Sequence, residues 1–390
     1  MVGDGIMYQN IPDNVQKILE SIEKAGFEAY LVGGCVRDML LGKEPHDYDI
    51  ATSALPENIK NIFPHTADTG LKHGTVTVIS DGMPIEVTTF RTESGYTDMR
   101  HPENVCFISD IKEDLRRRDF TVNAIAYNKR TGLVDPFGGE KDINERILRA
   151  VGNPDERFSE DALRILRLFR FASVLGFSCE ESTLSSALKL AVNLSGVSSE
   201  RIAEELRKAV NGENTEALSP LIKSGALNFL FINYDRLQKI KSLPAGNLKM
   251  FAFLYLCSTS PVETAEVLKF SNKEKKYITD MMGLLSFELM GNSLEVKYAL
   301  KDSGDVFEDY LTFLTKTLGK NTERVAETYR KITENGEPYR LSDLNISGDD
   351  LKKLGFEGKR IGFILDFLLQ KVIEEPGLNT KENLLKIVKS

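Results

Sequence analysis

The stretch that decides the fold spans residues 31–50 and reads LVGGCVRDMLLGKEPHDYDI. An apolar segment leads into the Gly33-Gly34 pair, a short helix that carries Arg37 follows, and a strand then presents Asp47 and Asp49. Positions i and i+2 of a strand point to the same face, so we expect the two carboxylates to lie side by side. The stretch therefore predicts a strand, a tight turn, a short helix and a second strand in close contact.

The paired carboxylates and the glycine turn together indicate phosphate and metal chemistry. Like charges held close together repel each other, and a divalent cation removes that repulsion, carboxylate oxygens being the ligands that Mg²⁺ prefers. The Gly33-Gly34 turn lets backbone N–H groups approach a phosphate near the start of a helix, where the dipole favours anions. This combination is typical of metal-assisted phosphoryl or nucleotidyl transfer. The Asp-x-Asp spacing alone is equally typical of a solvated acidic loop.

The composition of the 390 residues is that of an ordinary globular protein, with 41% hydrophobic and 28% charged residues. The length allows roughly two to four compact units at about 150 residues each. Four scattered cysteines without a C-x-x-C spacing indicate reduced thiols, and the four histidines give little support to a zinc hydrolase or a histidine triad. We find no leader pattern and no apolar run near ~18 residues, so we expect a cytoplasmic protein without membrane association.

The net charge of −8 counts against binding of nucleic acid through overall positive charge. An RNA partner would require basic residues gathered on one face. Three basic clusters are candidates for such a face, although each is also typical of a solvated helix. They are residues 116–118, residues 273–276 and residues 352–360.

Residues up to about 150 mix helix and strand signals, whereas the remainder is predicted to be all-helical. The predicted elements are a helix over 15–25, strands over 29–32 and 48–51, a hairpin of 75–80 with 85–90 across Asp81-Gly82, and helices over 121–127, 159–175, 182–191 and 199–211. Residues 91–112 are polar and poorly periodic, which predicts a surface loop. Soft boundaries lie near Gly212 and near the Asn335-Gly336 turn.

Three further motifs follow the opening stretch in a fixed order. They read RRDFTVNA over residues 117–124, DPFGG over 135–139 and EDALRILRLFRF over 160–171. Arginine forks of the kind found in the first and third motifs bind phosphate in two-point geometry. The third motif repeats a charged residue every three positions, at Asp161, Arg164, Arg167 and Arg170, which predicts one polar helix ridge. Each motif alone is also typical of a capped helix, a turn or a solvated helix face.

Taken in order, the four motifs resemble those of the class II tRNA nucleotidyltransferases, the family of the CCA-adding enzymes and bacterial poly(A) polymerases. The resemblance covers most of the chain and is densest over residues 30–170. It implies an α/β head with a DNA polymerase β-like nucleotidyltransferase fold, a small mixed sheet with helices, followed by an all-α neck, body and tail. The implied divisions are a catalytic head over 1–150, a base-recognising neck over 151–212, a body over 213–335 and a tRNA-binding tail over 336–390.

The resemblance also implies the roles of individual residues. Asp47 and Asp49 are the implied Mg²⁺ ligands and catalytic carboxylates, with Glu86 as a third carboxylate. Glu86 lies between apolar Ile85 and Val87, so an exposed position on an amphipathic strand describes it equally well. Lys359 and Arg360 are the implied RNA-binding residues. The implied nucleotide-binding residues are Gly33, Gly34, Arg37, Arg118, Asn123, Asp161, Arg164, Arg167 and Arg170.

Asp161 and Arg164 resemble the family's pair that recognises the incoming base. A carboxylate only accepts hydrogen bonds and an arginine only donates them, so the pair matches a base edge with an amino group beside an acceptor. Cytosine and adenine present that edge, whereas uracil and guanine place a carbonyl against the carboxylate. The pair therefore implies acceptance of CTP and ATP without a template.

The implied activity is the template-independent, Mg²⁺-dependent addition of C, C and A to the 3′ end of tRNA, with release of pyrophosphate and with no obligate protein partner. The full length of residues 91–112 favours complete addition, because the family's switch from C to A uses a mobile loop there. A CC-adding or A-adding enzyme and a poly(A) polymerase are the alternatives within the family. A catalytically inactive RNA-binding protein is the alternative from another class, and the intact Asp47, Asp49, Arg118, Asp161 and Arg164 argue against it.

Overall fold

The computed structural model of the chain describes residues 11–96, 102–230 and 234–389, which belong to two compact units, residues 1–232 and 233–390. The strands of the first unit are β1 (Ala29–Val32), β2 (Asp49–Thr52), β3 (Thr66–Gly70), β4 (Thr75–Ser80), β5 (Met83–Thr89), β6 (Arg91–Tyr96), β7 (Pro102–Phe107), β8 (Ala126–Asn128), β9 (Gly132–Val134), β10 (Ile147–Leu148) and β11 (Ser178–Cys179). Its helices are α1 (Asp13–Lys24), α2 (Gly34–Leu40), α3 (Pro56–Ile62), α4 (Ile111–Arg116), α5 (Gly139–Glu145), α6 (Pro154–Glu160), α7 (Leu163–Leu175), α8 (Glu181–Leu190), α9 (Ser199–Val210) and α10 (Ser219–Lys223).

A mixed sheet of seven strands, in the order β3-β4-β5-β2-β1-β8-β9, forms the centre of the first unit. Within this sheet, β2 and β5 are the one parallel pair, and their register sets Asp49 beside Glu86. All four residues of β1 are buried, so both faces of the sheet are covered at its centre. Strand β2 lies between β5 and β1 and is hydrogen-bonded on both sides. Asp49, the first residue of β2, is therefore held at the centre of the sheet. The predicted small mixed sheet with helices is confirmed.

Local signals in the head predict several of these elements correctly. The helix over 15–25 corresponds to α1, and the strand over 29–32 to β1. The hairpin forms as predicted, because Asp81 and Gly82 both have positive φ, at 51° and 78°, as a two-residue turn between twisted strands requires. The predicted start of β2 is wrong by one residue, since the strand begins at Asp49 and Asp47 precedes it.

Two other predictions for the head are wrong. Residues 121–127 form no α-helix: a short 3₁₀ turn over Thr121–Asn123 leads directly into β8. The apolar residues that follow the turn pair with β1, where Ala126 lies opposite Val32, so burial in the sheet outweighs local helix propensity. Residues 91–112 are not a plain loop, because β6 and β7 pair as a separate two-stranded sheet.

The predicted helix over 159–175 is also wrong, because the structure divides it into α6 and α7. Asp161 lies between the two helices with an extended backbone, at φ −138° and ψ 105°. Its Oδ1 accepts a hydrogen bond from the backbone N–H of Leu163 at 3.0 Å, which satisfies one of the donors left over at the start of α7. Asp161 therefore lies off the helix ridge that carries Arg164, Arg167 and Arg170.

The described part of the second unit, residues 234–389, is helical as predicted. Its helices are α11 (Tyr234–Ile240), α12 (Asn247–Cys257), α13 (Pro261–Val267), α14 (Asn272–Leu285), α15 (Ser293–Ser303), α16 (Phe307–Thr312), α17 (Glu323–Glu334), α18 (Gly348–Lys353), α19 (Lys359–Glu374) and α20 (Lys381–Lys389). Near the end of the chain, Leu351, Leu368, Val372 and Leu384 form an apolar core between α18, α19 and α20. Among the described residues, every helix is too short or too polar to span a bilayer.

The close packing at Gly139 gives a test of the fold. An added Cβ at this first residue of α5 would lie 2.1 Å from the Thr121 carbonyl oxygen and 2.8 Å from the Ile125 side chain. Since backbone must move to relieve such a clash, we expect Gly139→Ala to lower the free energy of unfolding by about 1–3 kcal/mol in urea titrations. Gly196→Ala is the matched control, because nothing lies within 4 Å of its Cβ position. Equal urea midpoints for the two variants would contradict the described packing.

Candidate active site

A cleft of about 500 Å³ in the first unit gathers residues from all the motifs except DPFGG. Seven arginines and four aspartates line it, although the chain as a whole carries a net charge of −8. The lining residues are Gly33, Gly34, Arg37, Asp47, Asp49, Arg117, Arg118, Asp119, Asn123, Asp161, Leu163, Arg164, Arg167, Arg170, Phe171 and Arg201. The cleft thus holds every predicted nucleotide-binding residue and both predicted metal ligands.

Asp47 and Asp49 lie at the cleft and interact electrostatically. The carboxylate of Asp49 is open to the water of the cleft while protein surrounds its other sides. This enclosure, together with repulsion from Asp47, raises the pKa of Asp49 to about 6, and attraction to Arg118 opposes the rise. Two carboxylates that repel in this way are a suitable donor pair for a divalent cation, which removes the repulsion by binding both.

Glu86 lies near the cleft but, unlike Asp47 and Asp49, is not part of its lining. It stands beside Asp49 in the parallel register of β2 and β5 and contributes slightly to the raised pKa of Asp49. Within the described ranges no group of three or more His, Cys, Asp or Glu side chains is arranged to hold a metal ion. A pair of carboxylates fits Mg²⁺ nevertheless, because this ion is usually held by one or two carboxylates together with substrate phosphates.

The Gly33-Gly34 turn lets an arginine approach the backbone. Gly33 has φ 77°, and a Cβ built there would lie 2.9 Å from Nη1 of Arg118. Arg118 lies 3.5 Å from Asp114 through Nη2, while its buried Nε has no hydrogen-bond partner. A buried donor without a partner costs free energy, so this guanidinium is suited to receive an anion at the turn.

A continuous chain of hydrogen bonds connects α2 to α7 through the second motif. Arg37 donates from Nη1 to Oδ1 of Asn123 at 2.7 Å, and Asn123 donates from Nδ2 to Oδ1 of Asp119 at 3.2 Å. Arg167 donates from Nε to Oδ2 of Asp119 at 2.8 Å. Burial alone would raise the pKa of Asp119, but Arg167 outweighs it and holds this pKa at about 2. Asp119 is not among the predicted site residues, and its place in the motif, between Arg118 and Asn123, is the signal in the sequence that points to it.

The predicted base-recognising pair shares the cleft, but Asp161 and Arg164 each bond to another partner. Oδ2 of Asp161 accepts from Nη2 of Arg201 at 3.0 Å. Arg164 donates from Nη1 to Glu160 at 2.7 Å and from Nη2 to the carbonyl oxygen of Arg117 at 3.0 Å. Arg201 lies 40 residues after Asp161, on α9, and no local pattern predicts this pairing.

The hairpin of β6 and β7 is connected to the wall of the cleft. Oε1 of Glu93 accepts from Nε of Arg91 at 2.8 Å and from Nη1 of Arg117 at 3.1 Å. Asp114 accepts from the backbone N–H of Arg91 at 3.1 Å and from Nε of Arg117 at 3.0 Å. Because the carbonyl of Arg117 also holds Arg164, hydrogen bonds run without a break from the hairpin to the predicted base-recognising arginine.

The predicted RNA-binding residues, Lys359 and Arg360, lie at the start of α19 in the second unit. Both side chains are exposed, and neither lines the cleft. The guanidinium carbon of Arg360 lies 5.1 Å from the ring centroid of Phe356, which supports the arginine by a cation–π contact.

The fold and the charged cleft define a nucleotidyltransferase with a polymerase β-like head. Residues 29–149 match the model of the poly A polymerase head domain, residues 176–236 that of the probable RNA and SrmB-binding site of polymerase A, and residues 243–388 that of the putative tRNA nucleotidyltransferase domain 2. The chain is 38% identical over 386 residues to a CCA-adding enzyme of Latilactobacillus sakei, with 95% of this chain and 96% of that protein covered. A CCA-adding enzyme of Lactococcus lactis subsp. cremoris is 39% identical over 389 residues, with 96% and 95% covered.

Among solved structures, the Bacillus stearothermophilus CCA-adding enzyme in complex with CTP superposes with a TM-score of 0.79 at 30% identity, covering 96% of this chain and 97% of that chain. The Thermotoga maritima CCA-adding enzyme complexed with tRNA has the same fold, with a TM-score of 0.63 at 19% identity and coverages of 98% and 97%. The chain belongs to the family of class II CCA-adding enzymes.

The buried Asp119 carboxylate gives a pH-dependent test of the site. Its pKa of about 2 lies below the value of ~3.9 in an unfolded chain, so its contribution to stability is complete above pH ~4 and is lost as the pH falls toward about 2. We expect Asp119→Asn to lower the free energy of unfolding by at least roughly 2 kcal/mol near neutral pH. Urea titrations between pH ~7 and ~3 should show this difference shrinking below pH ~4.

The control for this experiment is Asp68→Asn, which removes an exposed carboxylate bonded to Lys60 outside the cleft. We expect this variant to differ from the parent by less than about 0.5 kcal/mol at every pH. If the loss of stability in Asp119→Asn did not change with pH, Arg167 would not be holding the pKa of Asp119 below its usual value.

Proposed function

We propose that this chain adds C, C and A to the 3′ end of tRNA, using CTP and ATP as donors and no nucleic-acid template, with release of pyrophosphate. The observation that carries the proposal is that one cleft gathers Asp47, Asp49, Asp161 and Arg164. The relatives that match nearly the whole chain are CCA-adding enzymes, which favours complete addition over a CC-adding, an A-adding or a poly(A)-forming activity. The carboxylates of the cleft are present, which disfavours a catalytically inactive RNA-binding protein.

The proposed cofactor is Mg²⁺, held by Asp47 and Asp49 together with the phosphates of the nucleotide. When bound, the cation favours ionisation of the RNA 3′-hydroxyl and neutralises charge on the triphosphate and on the leaving pyrophosphate. Glu86 is proposed as a third catalytic carboxylate because of its register beside Asp49. The bound cation would place an opposite charge beside Asp47 and Asp49, where each now faces a like charge.

The triphosphate is proposed to bind among the arginines of the cleft. Seven arginines against four aspartates leave an excess of positive charge along the lining, which complements the polyanionic phosphates. Arg118 at the Gly33-Gly34 turn, together with Arg37, Arg167 and Arg170, is proposed to hold phosphates, and Asn123 to bind the ribose or the phosphates. Their existing partners within the protein fix these side chains before the nucleotide arrives, so less conformational entropy is lost on binding.

Base selection is proposed to rest on Asp161 and Arg164. The hydrogen bond from Arg201 orients Asp161, and each carboxylate oxygen retains a further lone pair for an amino group. Arg164 carries five N–H donors, of which its bonds to Glu160, Arg157 and Arg117 occupy a part. Uracil and guanine would place a carbonyl against the carboxylate, which leaves two acceptors opposed in a confined site.

Binding of tRNA is proposed to involve the second unit, with Lys359 and Arg360 at its RNA surface. Phe363 and Phe367 follow on the same face of α19, with 76% and 44% of their surface exposed. Exposed aromatic rings stack on unpaired bases while neighbouring cations bind phosphates.

The proposal also includes the division of the chain into a head over 1–150, a neck over 151–212, a body over 213–335 and a tail over 336–390. A cytoplasmic location is proposed as well, since tRNA, CTP and ATP are found in the cytoplasm.

The direct test uses tRNA that lacks its 3′ end, incubated with Mg²⁺ and CTP, ATP or both, followed by sequencing of the extended ends. We expect CCA ends only with both nucleotides. Asp47→Ala and Asp49→Ala should abolish extension, while their thermal midpoints stay unchanged or rise because a like-charge repulsion is removed. Asp68→Ala, outside the cleft, should extend tRNA normally. Near-normal extension by Asp49→Ala would overturn the metal assignment.

A second test concerns base choice. Asp161→Ala removes the proposed acceptor, so incorporation of C and A should fall by roughly five- to 150-fold, which corresponds to ~1–3 kcal/mol, and U and G should gain relative to them. Relative incorporation of all four nucleotides measures this. The matched control is Asp155→Ala, which removes a carboxylate that bonds to Lys189 and does not line the cleft. An unchanged preference for C and A in Asp161→Ala would place base recognition elsewhere.

A further inference from the structure

Phe171 lies at the centre of a group of three arginines in the cleft. Its side chain is only 6% exposed, and its ring lines the cleft at the end of the third motif. The guanidinium carbons of Arg37 and Arg167 each lie 5.4 Å from the ring centroid, and that of Arg170 lies 3.8 Å from it. All three distances are within the range in which a cation is attracted to the face of an aromatic ring.

Each of the three arginines also has a carboxylate partner. Nη2 of Arg37 lies 2.8 Å from Oδ1 of Asp38, and Nη2 of Arg167 lies 2.6 Å from Oδ2 of Asp119. Glu205 is shared, at 2.7 Å from Nε of Arg170 and 3.6 Å from Nη1 of Arg167. Burial and repulsion from Arg167 lower the pKa of Arg170 to about 10, although Glu205 and Asp119 oppose the change. Like charges therefore lie close together in this cluster despite the carboxylates, and a further contact that carries no charge helps to hold the guanidiniums in place.

The ring of Phe171 supplies such a contact without neutralising the arginines further. The negative face of an aromatic ring attracts a cation, but the ring carries no net charge that would compete with a phosphate. An aspartate or glutamate at the same position would hold the arginines equally well and would cancel part of their charge. The orientation of the ring is itself fixed, because Phe120 packs edge-on against it with a centroid distance of 5.7 Å and an interplanar angle of 81°.

We propose that Phe171 is a positioning residue that orients Arg37, Arg167 and Arg170 toward the triphosphate of the incoming nucleotide. The inference rests on the proposed function, in which these arginines bind phosphates. Phe171 acts through the arginines and leaves base choice to Asp161 and Arg164. Loss of the ring should therefore weaken the binding of CTP and of ATP by the same factor. It should also weaken the binding of a triphosphate that carries no base.

The test replaces Phe171 in the full chain by phenylalanines that carry one, two and three ring fluorines. Fluorine withdraws electron density from the ring face and so weakens the cation–π contact while the shape of the ring is nearly kept. We expect KM for CTP and ATP, and the Kd of inorganic tripolyphosphate, to rise stepwise with fluorination while kcat changes little. Phe171→Leu should raise these constants by roughly five- to thirty-fold, and Phe171→Tyr should restore them.

Phe169 provides the matched control, since it lies two residues earlier on α7, is 1% exposed and does not line the cleft. Fluorination of Phe169 should leave all of these constants unchanged. If Phe171 served only to fill the core, its fluorinated forms would bind tripolyphosphate like the parent, and that result would overturn the proposal even if Phe171→Leu failed to fold. Unequal effects on CTP and ATP would also overturn it. If the parent protein failed to extend tRNA, the proposed function would fail, whereas the tripolyphosphate series would still test the positioning role.

Discussion

The ion pair between Asp119 and Arg167 is the interaction on which the cleft depends. Oδ2 of Asp119 lies 2.6 Å from Nη2 of Arg167, and the pair joins the segment after α4 to the middle of α7. Asp119 also accepts a hydrogen bond from the side chain of Asn123, which in turn accepts one from Arg37 on α2. Three separate parts of the first unit are thus held together through one buried carboxylate. Breaking this buried ion pair would cost free energy, because it would leave an unpaired charge that water solvates poorly.

An arrangement of this kind is a poor way to gain stability and a good way to prepare a binding site. Desolvation of the arginines and aspartates costs free energy that their mutual attraction only partly returns. Arg118 even keeps a buried Nε without a hydrogen-bond partner. A polyanionic ligand offers acceptors to such a donor, which favours its binding at the cleft. Since the positions of the charges are already fixed, the ligand has little reorganisation to impose.

Sequence patterns predict the local parts of this arrangement and miss its cross-connections. The Asp81-Gly82 turn and the buried strand β1 are determined by residues next to each other in the chain, and both are predicted correctly. The single helix predicted over 159–175 is wrong because the side chain of Asp161 bonds to the Leu163 N–H and ends the regular spacing, an effect that periodicity does not detect. The pairing of Asp161 with Arg201 bridges 40 residues and depends on how α9 packs against α7, so only the folded structure reveals it.

The separate partners of Asp161 and Arg164 bear on the proposal that these two side chains distinguish bases. A pair bonded directly to each other would have to separate before it met a base, and that cost would reduce its selectivity. Here Arg201 holds the acceptor while Glu160 and the Arg117 carbonyl hold the donor, so the spacing between them is set by α6, α7 and α9. Arg117 is in turn bonded to Glu93 on β6. A displacement of the hairpin would therefore move the support of Arg164 and leave that of Asp161 in place. Under the proposed function, this is a physical route by which one pair of side chains accepts cytosine in one arrangement and adenine in another.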